Sequence, residues 1–394
     1  MVEAPMHPIR PDILALEPSG LARIFELGRG VDGLIPLWLG ETDLVTPKFI
    51  RDAAIAALED GKTFYINARG LPQLRQAIAD LHSRTTGVPV DVARVTVPGA
   101  AMLAVVSALQ CVANTGDNIV IPAPIWPNIF NAARVMGVEP RLVRLEEDWA
   151  QGKWRLDLDK LFAACDARTK ALFIASPGNP TGWTLTREEQ KAILDFARRR
   201  GIAIIADEVY GTLVYDGTPH APSFLGVADP EDALFVIAGF SKPFAMTGWR
   251  MGWLLHPASL ENAFEVSAQT NNTGTPNFLQ YGALAALSPQ GDAFRAELLA
   301  RCSKGRDVVD QFLKSQNRIR WLKPDGAFYG FLQVEGLRDS FALAEKLALQ
   351  HRVGVAPGYA FGSDARDEAY IRICFGRDAD SLAEGLRRIE SGLR

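Results

Sequence analysis

Short runs of apolar, often β-branched residues alternate along the chain with segments in which apolar residues recur every three or four positions. The first pattern predicts buried strands, and the second predicts amphipathic helices. Strands that are apolar on both faces are typical of a parallel sheet covered by helices on both sides, so we expect an α/β fold with a mainly parallel central sheet. The predicted strands are residues 94–97, 118–121, 141–145, 171–175, 202–206 and 234–238.

Helix boundary signals lie between these strands. Thr46-Pro47 is typical of a helix start, with Thr46 as the N-cap and Pro47 at the first helical position. Thr186 and Glu189 have the spacing of a capping box, and the helix that they begin should end at Arg200.

After about residue 288 the pattern changes from regular strand–helix alternation to an α+β order. A long helical pattern covers residues 292–314, and a short apolar strand is predicted at 370–374. We therefore expect a second, smaller domain that also includes the beginning of the chain. The predicted division is a large domain at 46–288 and a small domain made of 1–45 and 289–394.

Composition excludes several classes of protein. Lys and Arg number 42 and Asp and Glu 46, a net charge of −4, which argues against a nucleic-acid surface. Residues 100–109 form an apolar run far shorter than the roughly 20 residues of a membrane helix. Met1–Pro8 has no apolar stretch typical of a secretory signal. Because the five histidines and four cysteines form no cluster, we expect no metal site and a cytoplasmic protein with reduced thiols.

Candidate chemistry begins just after the strand predicted at 234–238. Lys242 follows the end of that strand, and Arg250 lies between two glycines further along the same loop. Ligands bind at the carboxyl ends of strands in open α/β sheets. A desolvated lysine is a nucleophilic amine there, and a guanidinium is a phosphate clamp. Together they suggest pyridoxal 5′-phosphate (PLP) bonded to Lys242.

Other predicted strands end in polar or aromatic residues that should meet at the same edge of the sheet. Asp207 and Tyr210 follow one strand, Asn179 another and Trp126 a third. Each has an ordinary explanation when taken alone: a turn for Asp207, a turn before proline for Asn179, and core packing for the two aromatic side chains.

Four motifs stand in a characteristic order: Asn-Pro-Thr-Gly at 179–182, Asp-Glu-Val-Tyr at 207–210, Ser-Lys at 241–242 and Gly-Trp-Arg-Met-Gly at 248–252. In this order and spacing the chain resembles the class I/II aminotransferases of PLP fold type I, from about Ser19 to the C-terminus. The resemblance implies an aspartate-aminotransferase-like fold and a homodimer with shared active sites.

The resemblance also implies roles for individual residues. Lys242 forms the internal aldimine, and Asp207 faces the ring nitrogen and keeps it protonated. Tyr210 and Asn179 are expected to donate hydrogen bonds to the phenolic oxygen of the ring. Glu208 should point to the opposite face of its strand.

The expected phosphate site is the start of the helix that follows the strand at 94–97. The backbone amides of Ala100 and Ala101 should hold the phosphate, and by resemblance Ser241 and Arg250 complete the site. Many relatives carry a hydroxyl residue where Ala100 stands, so we expect the backbone amides to suffice here.

The remaining implied contacts concern the ring, the neighbouring subunit and the substrate. Trp126 is expected to stack on the pyridine ring, and Tyr65 to reach the phosphate of the neighbouring subunit. Arg372 is expected to clamp the α-carboxylate of the substrate, with help from Asn179 and from the backbone of Gly40.

The predicted function is ping-pong transfer of an amino group between an L-amino acid and a 2-oxo acid, with Lys242 moving the Cα proton. A PLP-dependent lyase or synthase of the same fold is one alternative, and a non-catalytic PLP-sensing module is a second. The segment Leu37–Glu41 favours transfer, and the lack of a basic surface argues against the sensing module.

The motifs indicate the reaction more closely than they indicate the substrate. Trp38, Phe328 and Tyr359 are candidates to line an apolar pocket, and no second cation for an acidic side chain is evident. We therefore expect neutral or aromatic amino acids as donors and 2-oxoglutarate as acceptor.

Overall fold

The computed structural model describes residues 9–14, 16 and 18–394. The prediction about a secretory signal at Met1–Pro8, and part of the small domain predicted at 1–45, therefore lie outside the described residues. The strands, in chain order, are β1 (Ile35–Pro36), β2 (Val95–Gly99), β3 (Asn118–Ala123), β4 (Glu139–Arg144), β5 (Glu146–Asp148), β6 (Lys153–Arg155), β7 (Thr169–Ala175), β8 (Ala203–Asp207), β9 (Leu234–Gly239), β10 (Gly252–Leu255), β11 (Ile319–Trp321), β12 (Tyr329–Val334), β13 (Val353–Gly354), β14 (Ala356–Pro357) and β15 (Tyr370–Cys374).

The helices surround the sheets and connect successive strands. In chain order they are α1 (Pro11–Leu14), α2 (Gly20–Gly28), α3 (Lys48–Glu59), α4 (Pro72–Thr86), α5 (Ala101–Val112), α6 (Asn128–Val135), α7 (Leu158–Ala163), α8 (Arg187–Arg200), α9 (Glu261–Asn272), α10 (Asn277–Ala286), α11 (Pro289–Lys314), α12 (Ser340–His351) and α13 (Ala379–Leu393).

A seven-stranded sheet in the order β2-β10-β9-β8-β7-β3-β4 forms the centre of the molecule. Strands β4, β3, β7, β8 and β9 pair in parallel, and β10 runs antiparallel to both β9 and β2. Its inner strands β8 and β9 are almost entirely buried, because their side chains are apolar on both faces. The predicted α/β fold with a mainly parallel sheet is confirmed.

Helix ends follow the local sequence signals in most places. The capping box of α8 forms as predicted: the Glu189 N–H donates to Thr186 Oγ1 at 3.2 Å, and the Thr186 N–H donates to Glu189 Oε2 at 2.7 Å. The predicted N-cap at Thr46 is wrong, because α3 has Pro47 as its N-cap. The Thr46 hydroxyl instead donates to the carbonyl oxygen of Ala245, 2.6 Å away.

The C-terminal part of the chain forms a separate four-stranded sheet in the order β11-β12-β15-β14. The short strand β1 pairs in parallel with β13, so the N-terminal segment packs on this C-terminal part. This pairing favours the predicted division at residues 46 and 288, which stays a prediction. Among the described residues, no helix combines the length and apolarity needed to cross a membrane.

Candidate active site

One cavity lies outside the carboxyl ends of β7, β8 and β9, where the parallel strands stop. Such crevices are the usual ligand sites of open α/β sheets. The cavity brings together residues that are far apart in sequence and that come from both sheets. Its lining consists of Gly40, Ala101, Met102, Val105, Trp126, Asn128, Ala175, Pro177, Asn179, Asp207, Val209, Tyr210, Gly239, Ser241, Lys242, Arg250 and Tyr329.

Lys242 lines this cavity. Its Nζ donates a hydrogen bond to the carbonyl oxygen of Gly40 at 2.6 Å. Loss of hydration is the main cause that lowers the pKa of Lys242 to about 8, and the nearby guanidinium groups of Arg372 and Arg250 lower it further. A larger share of the amine is therefore neutral near physiological pH than for an ordinary lysine.

Asp207 ends β8 and turns its carboxyl group into the cavity. Burial raises the pKa of Asp207 to about 6, against the opposing effects of the Val209 N–H, which donates to Oδ1 at 3.2 Å, and of the charge on Lys242. A cationic group bound beside this carboxylate would lower that pKa again. The neighbouring Glu208 points away from the cavity, as predicted from strand alternation.

Tyr210 and Asn179 line the cavity next to Asp207. The Tyr210 hydroxyl lies 2.7 Å from the hydroxyl of Tyr329. The Asn179 Oδ1 accepts a hydrogen bond from Arg372 Nη1 at 3.1 Å, so the Asn179 amide group keeps its N–H donors for another acceptor.

Tyr329 is a lining residue that the sequence did not reveal as functional. It is the first residue of β12. Its hydroxyl also explains the glycine at position 40, because a Cβ atom there would lie 2.7 Å from that oxygen. Residues Met102, Val105, Asn128, Ala175, Pro177, Val209 and Gly239 complete the set of lining residues that sequence reasoning missed.

Arg372 contacts two lining residues, Asn179 and Tyr329, but does not itself line the cavity. The side chain is buried, and its guanidinium stacks between the rings of Tyr329 and Phe361 at 4.6 and 5.0 Å. Besides its bond to Asn179, it donates through Nη2 to the carbonyl oxygen of Trp38. Two aromatic faces and two acceptors therefore fix the plane of the guanidinium.

The start of α5 also forms part of the cavity wall. Ala101 and Met102, in its first turn, line the cavity together with Ser241 and Arg250. Free N–H groups and the helix dipole make such a start favourable for an anion. Ala100 is the N-cap residue of α5 and is not a lining residue. Arg250 has a left-handed backbone (φ 54°) and donates to the carbonyl oxygen of Thr247 at 2.8 Å.

Of the two aromatic residues expected to contact the cofactor, one lines the cavity and the other does not. Trp126 lines the cavity. Tyr65 is 88% exposed and does not line the cavity of its own chain.

The aromatic residues expected to line a substrate pocket lie elsewhere. The Trp38 ring packs against Gly28 and Gly354, and Phe328 packs edge-on against Tyr210. Tyr359 lies against α2. None of the three predicted residues lines the cavity. In the described part of the chain, no group of three or more His, Cys, Asp or Glu side chains is placed to hold a metal ion.

Comparison with known proteins identifies the family. Residues 33–389 match the family described as aminotransferase class I and II. The chain is 33% identical over 373 residues to a probable aspartate/prephenate aminotransferase of Aquifex aeolicus, covering 93% of this chain and 92% of that protein. It is 34% identical over 367 residues to the arginine–pyruvate transaminase AruH of Pseudomonas aeruginosa, covering 90% and 89%.

Solved structures agree with this assignment. An aminotransferase from Mycobacterium tuberculosis superposes with a TM-score of 0.90 at 29% identity, covering 98% of this chain and 99% of that one. The aspartate aminotransferase of Thermus thermophilus with maleate superposes with a TM-score of 0.88 at 28% identity, covering 98% and 100%. With its family match over nearly the whole chain, and with relatives of this identity and coverage, the protein belongs to the class I and II aminotransferases.

Proposed function

We propose that this aminotransferase holds PLP in the cavity, bonded to Lys242, and uses it to move an amino group between an L-amino acid and a 2-oxo acid. The observation that carries the proposal is the convergence of Lys242, Asp207 and the start of α5 on one cavity. The aminotransferase family uses PLP, and these residues supply the groups that PLP requires.

The donor set fits the cofactor at both ends. Ser241, Arg250 and the free N–H groups of α5 favour a phosphate at one end. The Asp207 carboxylate at the other end favours a protonated ring nitrogen, and the same interaction lowers the raised pKa of Asp207. Between them, Tyr210 and Asn179 offer hydrogen-bond donors for a phenolic oxygen.

When bound, PLP supplies an electron sink for the bond that breaks at the substrate Cα. The Lys242 amine, freed when the amino donor takes its place on the cofactor, would be the base that takes the Cα proton and the acid that returns it. Its lowered pKa, about 8, suits both tasks near neutral pH. Asp207 keeps the proton on the ring nitrogen, and Trp126 covers the ring.

The proposed α-carboxylate site consists of Arg372, Asn179 and the Gly40 backbone. Arg372 is buried and already oriented by its two stacked rings, so little side-chain entropy is lost when it binds a carboxylate. Its Nε is buried without a hydrogen-bond partner in the described chain, which leaves donor capacity for a ligand.

We propose that the active form is a homodimer in the cytoplasm. Phe64 and Tyr65 are 80% and 88% exposed on a loop whose later residues are anchored by hydrogen bonds. The Asn67 Nδ2 donates to Glu265 Oε1 at 3.0 Å, and buried Arg69 donates to the carbonyl oxygen of Val95 at 2.9 Å. Such a fixed loop with outward aromatic residues is suited to reach the phosphate site of a second copy.

For the amino donor we propose amino acids with neutral or aromatic side chains, with 2-oxoglutarate as acceptor. Lys242 and Arg250 are the cationic side chains among the described residues that line the cavity, and both already have proposed roles. An acidic side chain would need a further cation. Relatives named for aspartate, for aromatic amino acids and for arginine show that substrate preference differs among similar proteins.

Product analysis tests the proposed reaction. A panel of L-amino acids is incubated with the holoenzyme and 2-oxoglutarate, and oxo acid, glutamate and ammonia are measured. Transfer predicts equal amounts of glutamate and of the oxo acid from the donor, without ammonia. Ammonia release without glutamate would instead support the lyase alternative, and an inert holoenzyme would support the sensing module.

A further inference from the structure

A second, smaller pocket lies behind the candidate active site and shares Val209 and Gly239 with its wall. Its volume is about 20 Å³, which exceeds the roughly 10–15 Å³ that one water molecule requires. Three of its polar lining residues come from separate segments: His82 of α4, Glu208 just after β8, and His220 of the following loop. The aminotransferase mechanism uses none of these three groups. Thr85, Thr212 and Arg295 are the other polar residues of the lining.

Glu208 contributes one unsatisfied acceptor. Its Oε1 accepts hydrogen bonds from the Ser223 hydroxyl at 3.0 Å and from the Phe224 N–H at 3.1 Å. Its Oε2 is buried and has no partner in the described part of the chain, and the residue is only 4% exposed. Leaving such an oxygen unpaired costs the hydration that it had in the unfolded chain, so a ligand that satisfies it is favoured.

His82 contributes one unsatisfied donor. The Trp253 Nε1 donates to His82 Nε2 at 2.8 Å, and an indole nitrogen can only donate, so Nε2 is the acceptor of this ring. Burial, helped by the charges of His220 and Arg94, lowers the pKa of His82 to about 3, and the ring is neutral at physiological pH. The proton must therefore be on Nδ1, which is buried without a partner among the described residues.

His220 contributes a second acceptor. Its Nδ1 lies 2.7 Å from the carbonyl oxygen of Ala221, which can only accept, so Nδ1 carries the proton. Burial lowers the pKa of His220, which favours the neutral ring with a lone pair on Nε2. These three side chains thus present one donor and two acceptors to the pocket.

We propose that this pocket binds one ordered water molecule, which accepts a hydrogen bond from His82 Nδ1 and donates to Glu208 Oε2 and His220 Nε2. Three hydrogen bonds are the usual number for a buried water. The water links α4 to the turn between Asp207 and Tyr210. Glu208 is thereby a positioning residue for the cofactor site, a role that rests on the proposed function, whereas the water site does not.

The charged groups near the pocket, Asp207 and Arg295, are compatible with a bound water whether Glu208 is ionised or protonated. Burial, together with the charge of Asp207 on the other face, raises the pKa of Glu208 to about 7. Arg295 of α11 also lines the pocket; its Nη2 pairs with Asp292, and its Nε is buried without a partner among the described residues. If Glu208 gains a proton, it donates to the water instead of accepting, and the water keeps three hydrogen bonds.

High-resolution crystal structures of the holoenzyme test the water site directly. Wild type and Glu208→Gln should show one water peak within hydrogen-bond distance of His82 Nδ1 and residue 208, because the amide keeps a polar group there. Glu208→Leu and His82→Leu should lack the peak. An empty wild-type pocket, or a direct hydrogen bond between His82 and Glu208, would overturn the proposal.

A spectroscopic titration tests the positioning role. The visible band of bound PLP is followed against pH in wild type, Glu208→Gln and Glu208→Leu. We expect the Gln variant to keep the wild-type midpoint and the Leu variant to shift it, because the turn that carries Asp207 loses its support. An unchanged midpoint in the Leu variant would contradict this role. Failure of wild type to take up PLP would instead contradict the proposed function and leave the water peak unaffected.

Discussion

Lys242 and Arg372 have opposite electrostatic requirements, and the same buried region meets both. Desolvation favours the neutral form of Lys242, which a nucleophile and a base must have. Arg372 stays charged in the same surroundings, since a guanidinium is protonated throughout the physiological range. Its neighbours are two aromatic faces and two oxygen acceptors.

The lowered pKa of Lys242 predicts a pH dependence for capture of PLP by the protein freed of cofactor. Only the neutral amine attacks the aldehyde, so the capture rate should rise with pH until about pH 8 and then level off. An ordinary lysine would keep gaining rate to about pH 10.4. Stopped-flow absorbance measures the rate, and a rise that continues beyond pH 9 would contradict the desolvated state of the amine.

Arg372→Lys tests the proposed carboxylate clamp. Lysine keeps the charge but loses the planar fork that stacks between Tyr329 and Phe361. We expect the KM for the amino donor to rise about 10- to 150-fold, which corresponds to the loss of about 1.5–3 kcal/mol. The visible spectrum of bound PLP should stay unchanged, which serves as the control. An unaltered KM would remove Arg372 from the substrate site.

At the scale of single elements, local signals predict what local interactions determine. The capping box of α8 forms where the sequence indicates. Thr46 does not cap α3 because its hydroxyl is engaged by residues distant in sequence. The hydroxyl donates to the Ala245 carbonyl oxygen and accepts from the Trp249 Nε1. A single sequence gives no sign of that competition.

The sequence does not predict strand β10 or a site role for Tyr329, because both depend on contacts between residues distant in sequence. β10 has only four residues, and its pairing with β2 and β9 is a long-range event. Tyr329 becomes a site residue only because β12 brings its hydroxyl against Gly40 and Tyr210. In contrast, residues that directly follow the large-sheet strands, such as Asp207 and Lys242, could be placed from the sequence, because the position of a strand end fixes its side of the sheet.

Thr186→Ala tests the contribution of a local signal to stability. The substitution removes the acceptor for the Glu189 N–H and should lower the free energy of unfolding by about 1 kcal/mol. Thr186→Ser, which keeps the hydroxyl, is the matched control and should stay near wild type. Chemical denaturation monitored by circular dichroism measures both, and equal losses in the two variants would show that the hydroxyl is not the cause.

At the scale of the whole molecule, the position of Tyr65 argues for two chains. Tyr65 is 88% exposed on a loop held by Arg69 and Asn67, and this exposure supports the proposal that it contacts a second chain. The proposed dimer would complete each phosphate site with a residue from the other chain.

Subunit complementation tests whether the sites are shared. Lys242→Ala and Tyr65→Ala proteins are each impaired when alone. If Tyr65 serves the partner's site, a mixed dimer holds one doubly altered site and one intact site, so equal mixing should restore about one quarter of wild-type activity. Mixing Lys242→Ala with Lys242→Ala labelled by a different tag is the control for subunit exchange without rescue. Exchange of subunits without any gain of activity would mean that Tyr65 acts elsewhere.

The visible absorption spectrum of the purified protein, with and without Lys242→Ala, tests the central claim most directly. We predict that wild type with PLP shows an absorption band that depends on Lys242, and that an amino donor bleaches this band while a 2-oxo acid restores it. In Lys242→Ala the band should be altered and should not complete this cycle. A wild-type protein that shows no band after addition of PLP, or one whose band is the same without Lys242, would contradict the account.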